Sequence, residues 1–414
     1  MNYILNKIKL YKKILENLTY LAVLQVFNLF LPLISYPYLL STIGTEKYGL
    51  IIYSSVIISY FIILINFGFN ISATKNISIY RNDKNKISEI VSSTLLIKGL
   101  ILLLSFFILM PLLIFITDFN DYFLLYIITY IACLYEAFFP FWYFQGIEEM
   151  KYITYINVIT RGVFTILIFI LVNSPEDYII VPTLNAFGYL IACLISLYIV
   201  FIKNKVNFFL PKKNVLKFYF KESAPFFISR ASAVVINRTN TVLIGVFYGY
   251  SEVSYYDLAY KLVELCKIPS NIINQTIYPK VALSKNMNFV VKVIKYNLVL
   301  SFIICVTLYF WIDNLILYFL KEEMLNAKNI IYVLSLTVVL SGISYFFGNT
   351  MLVVNDRVRE FNMSVIYQGL LFILLILPGF ILNYDILLYA SIVVVTSFFE
   401  VIYRYYYIKK YNII

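Results

Sequence analysis

The chain has 414 residues, of which 62% are hydrophobic and 13% are charged, and its net charge is +11. Soluble proteins carry about 25% charged residues, so this composition excludes several water-facing domains and indicates a membrane protein. The sequence contains no histidine, which excludes imidazole catalysis and most zinc sites, and we expect no cofactor.

Twelve apolar stretches are long enough to cross a hydrocarbon core about 30 Å thick, which requires about 20 helical residues. They are continuously apolar rather than alternating with a period of two, which favours helices over a β-barrel. The predicted fold class is therefore all-α, with about 12 transmembrane helices. The predicted spans are residues 17–40, 48–68, 90–116, 122–145, 152–172, 178–202, 223–248, 253–279, 293–319, 328–353, 361–382 and 385–407.

Two segments outside these spans combine lysines with apolar residues. Residues 2–16 do so at helical spacing, which predicts an amphipathic helix on the membrane surface. Residues 203–222, midway along the chain, are predicted to be a surface connector. Together with residues 69–89 they are the longest predicted loops, so no loop is long enough for a soluble domain. The expected domains are an N-terminal bundle at 1–202, the connector at 203–222 and a C-terminal bundle at 223–414.

The two halves of the chain share a pattern at their beginnings. Each half has a glycine-containing turn between its first two spans, at residues 43–49 and 248–256, and its second span ends in a basic loop. Internal similarity of this kind is typical of transporters built from two related bundles, with the substrate path at their interface.

The basic residues of the loops predict the orientation of the chain. On one side of the predicted membrane the termini and loops hold 24 lysines and arginines, including Arg404, Lys409 and Lys410 at the C-terminus. The opposite side has three lysines. By the positive-inside rule both termini are predicted to lie in the cytoplasm. Topology and contact with anionic lipids account for the net positive charge, so we expect no nucleic-acid partner.

A series of short motifs resembles one known family. The motif residues are Pro32, Pro37-Tyr38, Gly44, Tyr48-Gly49, Phe67-Gly68-Phe69, Ala73-Thr74-Lys75, Arg81, Phe141-Trp142-Tyr143-Phe144-Gln145-Gly146, Asn157, Arg161, Pro225 to Arg230, Tyr255-Tyr256-Asp257-Leu258-Ala259-Tyr260-Lys261, Gln275 and Tyr278-Pro279-Lys280. With these residues the chain resembles the polysaccharide-biosynthesis flippases, the Wzx-type O-antigen transporters of the multidrug/oligosaccharidyl-lipid/polysaccharide exporter superfamily. The resemblance covers residues 17–295, and the last four spans match by hydropathy alone.

The resemblance implies a multi-pass protein of the bacterial cytoplasmic membrane, with two six-helix bundles around a central cavity. It implies a flippase that moves undecaprenyl-diphosphate-linked oligosaccharide repeat units from the cytoplasmic to the outer leaflet by alternating access, for O-antigen or capsule biosynthesis. The expected partners are the lipid-linked oligosaccharide, membrane lipids, and a polysaccharide polymerase with its chain-length regulator. Coupling to a proton gradient, a sodium gradient or the membrane potential is expected, and the sequence does not distinguish among the three.

Two other functions stay open at this point. A cation-coupled multidrug or organic-cation antiporter of the same superfamily would have a similar helix arrangement, but its cavity should be lined by carboxylates and aromatic rings. A membrane glycosyltransferase or acyltransferase would be an enzyme with substantial external loops. The absence of histidine and of such loops argues against the enzyme, so we predict that the chain is not one.

Six basic residues lie inside the predicted spans, and each costs about 2.5–3.5 kcal/mol at the centre of a membrane helix. They therefore require partners or an aqueous cavity. Arg161 and Arg230, at similar estimated depth in opposite halves, are expected to bind the diphosphate, because the planar guanidinium fork suits phosphate oxygens. The other candidates for the same cavity are Lys98, Arg238 and Lys261, and the sixth basic residue is Lys267.

Three carboxylates are candidates for ion coupling. Asp257 and Glu264 share one helical stripe with Lys261, at spacings of four and three residues. Either these charges neutralise one another or pair with the arginines of the preceding span, or a carboxylate titrates during transport. Glu136 in the fourth span is the third candidate. No metal site is predicted.

Overall fold

The structure, a computed structural model, describes residues 2–382 and 384–414. Side chains are described throughout that part except at residues 2–15 and positions 18, 29, 229, 279, 283 and 380. Over these residues the chain forms helices and no strand. Nine helical segments in the described part are long and apolar enough to cross a membrane. The all-α prediction is confirmed.

The helices follow the chain in order, joined by short turns. The first eight α-helices are α1 (Asn2–Asn66), α2 (Phe69–Ile79), α3 (Lys84–Phe115), α4 (Thr117–Asn120), α5 (Phe123–Phe138), α6 (Phe141–Gly146), α7 (Met150–Leu171) and α8 (Ile180–Tyr198). The other seven are α9 (Lys213–Tyr248), α10 (Tyr250–Ser284), α11 (Met287–Phe319), α12 (Lys328–Tyr345), α13 (Val358–Ile376), α14 (Gly379–Leu382) and α15 (Ile386–Lys410). Between them lie 3₁₀ turns at Pro175–Ile179 and Glu322–Ala327 and π-helical turns at Ile199–Lys203 and Phe346–Val353.

These helices accommodate all twelve predicted spans. Helix α1 contains two of them, because its backbone leaves the helical region at Gly44, where φ is 80° and ψ is 167°. Helices α9 and α10 have 36 and 35 residues and are therefore long enough to cross a bilayer. They are not among the nine apolar segments because they contain more charged residues. The prediction of an amphipathic surface helix at 2–16 depends on its side chains, and those of residues 2–15 lie outside the part that the structure describes.

The two longest predicted loops are largely helical, which corrects the sequence analysis. Helix α2 occupies residues 69–79, because Phe69, Ala73 and Ile77 form a buried stripe that packs against α6. Helix α9 begins at Lys213, inside the predicted connector. Only residues 204–212 of the connector have an irregular backbone.

The chain has two compact units. The first comprises the residues up to Lys47 and Ser54–Ala231, and the second comprises Tyr48–Tyr53 and Ser232–Ile414. The boundary near residue 231 falls inside α9. The division into bundles at 1–202 and 223–414 with a connector between them stays a prediction about the arrangement in the membrane.

Each unit has its own apolar core. In the first unit, Trp142 and Phe144 of α6 are fully buried in a cluster that α2, α3 and α7 complete. In the second unit, Phe346 and Met351 of the π-helical turn are fully buried against residues of α10, α11 and α15. Helix α2 and the π-helical turn thus both contribute fully buried residues to the cores of their units.

The break between α1 and α2 depends on one glycine. Gly68 has φ of 82°, and a Cβ atom there would lie 2.6 Å from the carbonyl oxygen of Ser223 and 2.7 Å from the Cβ of Phe226. The ring of the preceding Phe67 stacks on Phe220 and Phe227 at centroid distances of 4.4 and 4.8 Å. The first turns of α9 therefore pack directly against this break.

We predict that Gly68→Ala destabilises the protein by about 2–4 kcal/mol, because it adds left-handed backbone strain to a steric clash with backbone atoms. Gly162→Ala is the control, since that glycine is helical and an added Cβ would lie 3.5 Å from its nearest neighbour, Phe27. Thermal unfolding of the purified protein in detergent measures both variants. Equal unfolding temperatures for the two variants would contradict this account of the break.

Candidate functional site

A polar cavity of about 650 Å³ lies in the first unit. Six of its eight lining residues are polar or basic, and none carries a carboxylate. The cavity combines two cations with amides and hydroxyls, a composition that suits anionic and hydroxyl-bearing ligands. The lining residues are Asn70, Ile71, Thr74, Lys75 and Ser78 of α2, Phe141 and Gln145 of α6, and Arg230 of α9.

Helix α2 supplies the polar wall of the cavity through its periodicity. Asn70, Thr74 and Ser78 recur every four residues and therefore share one helical face. The hydroxyl of Thr74 donates to the carbonyl oxygen of Asn70 at 2.7 Å and lies 3.4 Å from Gln145 Oε1. Within the described part of the chain, the buried Asn70 Oδ1 has no hydrogen-bond partner. It can accept a hydrogen bond from a ligand hydroxyl.

Hydrogen bonds between α2 and α9 hold Arg230 at the cavity. The hydroxyls of Ser72 and Ser223 are 2.6 Å apart. Asn76 Nδ2 donates to Glu222 Oε2 at 2.7 Å, and Lys75 Nζ lies 3.4 Å from the other oxygen of that carboxylate. Arg230 itself is exposed and has no carboxylate within ion-pair distance among the described residues. Its guanidinium is thus free to meet an anion.

Arg161 and Arg230 both lie in the first compact unit, because the first turns of α9 pack on α2. That they belong to opposite six-helix bundles in the membrane stays a prediction. Arg161 does not line the cavity. Its Nη1 donates to Asn28 Oδ1 at 2.9 Å, and its Cζ lies 5.8 Å from the ring centroid of Tyr189. Its Nε is buried without a hydrogen-bond partner in the described structure.

Lys98 is engaged by Glu136. The fully buried Lys98 Nζ lies 2.9 Å from Glu136 Oε1, which also accepts a hydrogen bond from Asn66 Nδ2 at 2.7 Å. Asn66 Oδ1 in turn accepts from the backbone amide of Gly68 at 3.2 Å. A buried ammonium requires such a partner, so the pair ties α3 and α5 to the break after α1. Neither residue lines the polar cavity.

The charged stripe of α10 is neutralised along its own helix. Lys261 Nζ lies 2.6 Å from Asp257 and donates to the hydroxyl of Tyr48 at 3.0 Å. Glu264 pairs with Lys267 at 2.7 Å. The structure therefore has the internal pairing that was one of the sequence-based alternatives.

Arg238, the remaining cation of the predicted site, contacts an aromatic ring of the second unit. Its Cζ lies 5.8 Å from the ring centroid of Tyr260. This distance is within the range of cation–π contacts, and the side chain is half-buried. Arg238 and Lys261 both belong to the second unit, whereas the polar cavity is described within the first.

Arg404 is buried, although the sequence analysis assigned it to the C-terminal tail. It lies in α15, 4% exposed, with its Nη2 2.5 Å from Glu400. Its Nη1 donates to the carbonyl oxygen of Ser344 at 2.7 Å, and its Nε donates to Ser364 Oγ at 2.9 Å. The signal in the sequence was the spacing of four between Glu400 and Arg404, which allows both charges to enter an apolar helix as a pair.

Asn70 and Gln145 were not among the site residues predicted from the sequence. Asn70 falls in the predicted loop at 69–89, and Gln145 was noted only as part of the family motif at 141–146. The spacing of four that links Asn70, Thr74 and Ser78 was visible in the sequence. It carried no weight, because the segment was expected to be a loop rather than a helix.

We predict that Glu136→Gln destabilises the protein by about 3–5 kcal/mol, because it leaves the Lys98 ammonium buried without a counter-charge. The double variant Lys98→Met and Glu136→Gln should recover most of that loss. Glu149→Gln is the control, since the partly exposed Lys151–Glu149 pair is worth about 0–1 kcal/mol. Thermal unfolding is measured for the wild type and the three variants. If Glu136→Gln alone is as stable as the wild type, the assigned pairing is refuted.

Sequence comparisons place the chain among polysaccharide-related transporters. The family model described as Polysaccharide biosynthesis protein matches residues 14–287. A relative from Escherichia coli (strain K12), named "Putative O-antigen transporter", is 26% identical over 372 residues, which are 88% of this chain and 89% of the relative. A protein of the same name from Shigella dysenteriae is 29% identical over 272 residues, 64% of this chain and 67% of that protein.

Two solved structures have the same fold. An inward-facing multidrug resistance MATE family transporter of the MOP superfamily aligns with a TM-score of 0.74 at 11% identity, over 96% of this chain and 98% of its own. The lipid II flippase MurJ, in an inward closed conformation, aligns with a TM-score of 0.72 at 15% identity, over 95% of this chain and 87% of its own.

The relatives and the proteins of like fold are transporters and flippases, so the prediction that the chain is not an enzyme is confirmed. Its apolar helices and its relatives identify a multi-pass membrane protein. The resemblance drawn from the motifs is confirmed as well. Since the family model matches most of the sequence, the chain belongs to the polysaccharide biosynthesis protein family.

Proposed function

We propose that the protein is a flippase for lipid-linked oligosaccharides. In this proposal it moves undecaprenyl-diphosphate-linked repeat units from the cytoplasmic to the outer leaflet by alternating access, for O-antigen or capsule biosynthesis. The observation that carries the proposal is the cavity of the first unit, where Lys75 and Arg230 stand among amides and hydroxyls without any carboxylate in the lining. The relatives named as O-antigen transporters support it.

Different lining residues suit different parts of the ligand. Arg230 offers a planar fork that can bind two phosphate oxygens at once, and Lys75 adds a point charge. Asn70 and Gln145 have amide groups that both donate to and accept from sugar hydroxyls. A diphosphate with its first sugar would thus meet cations and hydrogen-bonding groups in the same cavity.

The runner-up function is a multidrug or organic-cation antiporter. The fold similarity to multidrug transporters is compatible with it. The charge of the lining residues argues against it. A site for organic cations should present carboxylates, whereas this lining has two cations and no carboxylate. The flippase therefore explains the lining better.

We also propose that both termini lie in the cytoplasm, on the strength of the lysine and arginine distribution in the short loops. The burial of Arg404 removes one charge from the cytoplasmic count and leaves the asymmetry large. In this orientation the segment 204–212 lies on the inner side of a bacterial cytoplasmic membrane. A polymerase and a chain-length regulator that receive the flipped repeat unit are proposed partners.

We predict that Arg230→Ala weakens binding of a polyprenyl-diphosphate sugar by about ten- to a hundredfold, the equivalent of one lost ionic hydrogen bond of about 1.5–3 kcal/mol. Arg230→Lys should restore only part of that affinity, because lysine lacks the fork. Binding is measured on the purified protein, with the unfolding temperature recorded for each variant.

The control for this prediction is Lys217→Ala, an exposed cation of α9 that does not line the cavity. Arg161→Ala tests the second predicted phosphate ligand in the same assay, since Arg161 has no carboxylate partner among the described residues. Wild-type affinity in Arg230→Ala with preserved stability would refute the site. Tighter binding of organic cations than of the diphosphate sugar by the wild type would favour the antiporter.

Transport is further proposed to be coupled to an ion gradient or to the membrane potential, through a carboxylate of α10. Asp257 is 7% exposed, and its neutralisation would release Lys261, whereas the Glu264 side chain is 35% exposed. We predict that Asp257→Asn abolishes the response of transport to imposed proton or sodium gradients and that Glu264→Gln keeps it. If both variants keep that response, the pairs on α10 are structural and Glu136 is the remaining candidate.

A further inference from the structure

The first unit has a second concavity, which we call the apolar groove. Its volume is about 620 Å³, and its eleven lining residues are all leucine, phenylalanine or glycine. They come from α3, α5, the end of α8 with the π-helical turn after it, and residue 208 in the irregular segment. A volume of this size is typical of ligand sites. A lining without polar side chains accepts only hydrocarbon.

Phe208 lines the groove, and residues 207 and 209 on either side of it are anchored to α3. Hydroxyls of α3 hold their backbone, because Ser88 Oγ accepts from the Asn207 amide at 3.1 Å and Ser92 Oγ accepts from the Phe209 amide at 3.2 Å. The ring of Phe208, between these two residues, meets Phe201 edge to face at a centroid distance of 6.2 Å. Both rings line the groove.

A basic loop joins Phe201 to Phe208, the two aromatic residues at this part of the groove lining. Lys203 and Lys205 lie between them in the sequence, and residues 203–212 contain no acidic residue. Lys203 Nζ donates to the hydroxyl of Tyr152 at 2.9 Å, and the exposed Lys205 has a positive φ of 53°, as in a tight turn. Asn207 and Phe209 also line a third, smaller pocket, whose two carboxylates are engaged within α3, since Asp83 caps the helix and Glu89 pairs with Lys86.

We propose that the apolar groove and this loop form a binding site for an anionic glycerophospholipid of the leaflet that adjoins the loop. One acyl chain occupies the groove along α3, and the phosphate meets the exposed Lys205. Within a bilayer an acyl chain gains little free energy by leaving other acyl chains, so the groove contributes a matching shape and Lys205 contributes selectivity for an anionic headgroup. The bound lipid would fasten residues 204–212 to the first unit.

The site is separate from the proposed transport cavity. Phe138 lines the groove and Phe141 lines the cavity, and both pack against the buried cluster that contains Phe139 and Trp142. No residue lines both concavities. We therefore assign the groove to a resident phospholipid rather than to the lipid that is transported.

The test is native mass spectrometry of the purified full-length protein, titrated with phosphatidylglycerol or phosphatidylcholine of identical acyl chains. The wild type should bind the first phosphatidylglycerol more tightly than the first phosphatidylcholine. Lys205→Gln should weaken phosphatidylglycerol binding about fivefold, because one basic residue near an anionic headgroup contributes about that factor. Phosphatidylcholine binding should not change. Lys217→Gln, an exposed lysine away from the groove, is the control.

A second set of variants fills the groove with larger side chains. An added Cβ at Gly99 would lie 3.8 Å from the ring of Phe138, so Gly99→Leu fits the helix and places its side chain in the groove. It should abolish tight binding of the first lipid with either headgroup, and Leu100→Trp should do the same from the next position. Leu104→Phe, on the exposed surface of the same helix and outside the lining, should bind like the wild type.

Three results would overturn the proposal. They are equal affinity of the wild type for the two phospholipids, wild-type lipid binding by both filling variants with unchanged unfolding temperatures, and displacement of phosphatidylglycerol by an equal concentration of polyprenyl phosphate. The last result would assign the groove to the carrier lipid instead. None of these outcomes depends on the transport activity proposed above.

Discussion

A charged side chain in an apolar interior must find a counter-charge or an aqueous cavity, because neither hydrocarbon nor apolar side chains can solvate it. That constraint explains the buried ion pairs in the described part of the chain. Lys98 is fully buried against Glu136, Lys261 lies against Asp257, and Arg404 is held by Glu400. Arg230 differs from these cations, since it lies at a polar cavity without a carboxylate in the lining. Because Arg230 is exposed there and has no carboxylate partner among the described residues, an anion can bind to it.

The break between α1 and α2 links the buried ions to the polar cavity. Glu136 holds Asn66, and Asn66 accepts the amide of Gly68 at the point where the chain turns. The absence of a side chain at Gly68 lets the first turns of α9 approach, and they carry Arg230 to the cavity that α2 lines. A chain of contacts thus runs from the buried ion pair through Gly68 to the helix that carries Arg230.

The two concavities of the first unit differ in chemistry, and this difference separates their functions. The polar cavity has two cations with amide and hydroxyl groups, which suit a diphosphate sugar. The apolar groove has only hydrocarbon side chains and a basic loop beside it, which suit an acyl chain with an anionic headgroup. The core around Trp142 lies against residues of both. In the proposed flippase the first kind of site would hold the cargo, and the second kind would hold a resident phospholipid that fastens residues 204–212 to the first unit.

Composition and periodicity alone determined the helical class, the twelve spans and the six intramembrane cations, because hydrophobic length and charge cost are local properties of a sequence. The stripe of α10 was also predictable, since its partners are three or four residues apart. Only the tertiary structure decided which distant residues these helices meet: Ser72 of α2 lies against Ser223, Arg404 donates to Ser344, and Arg230 lies at the polar cavity. These contacts join residues far apart in the sequence, so no local pattern encodes them.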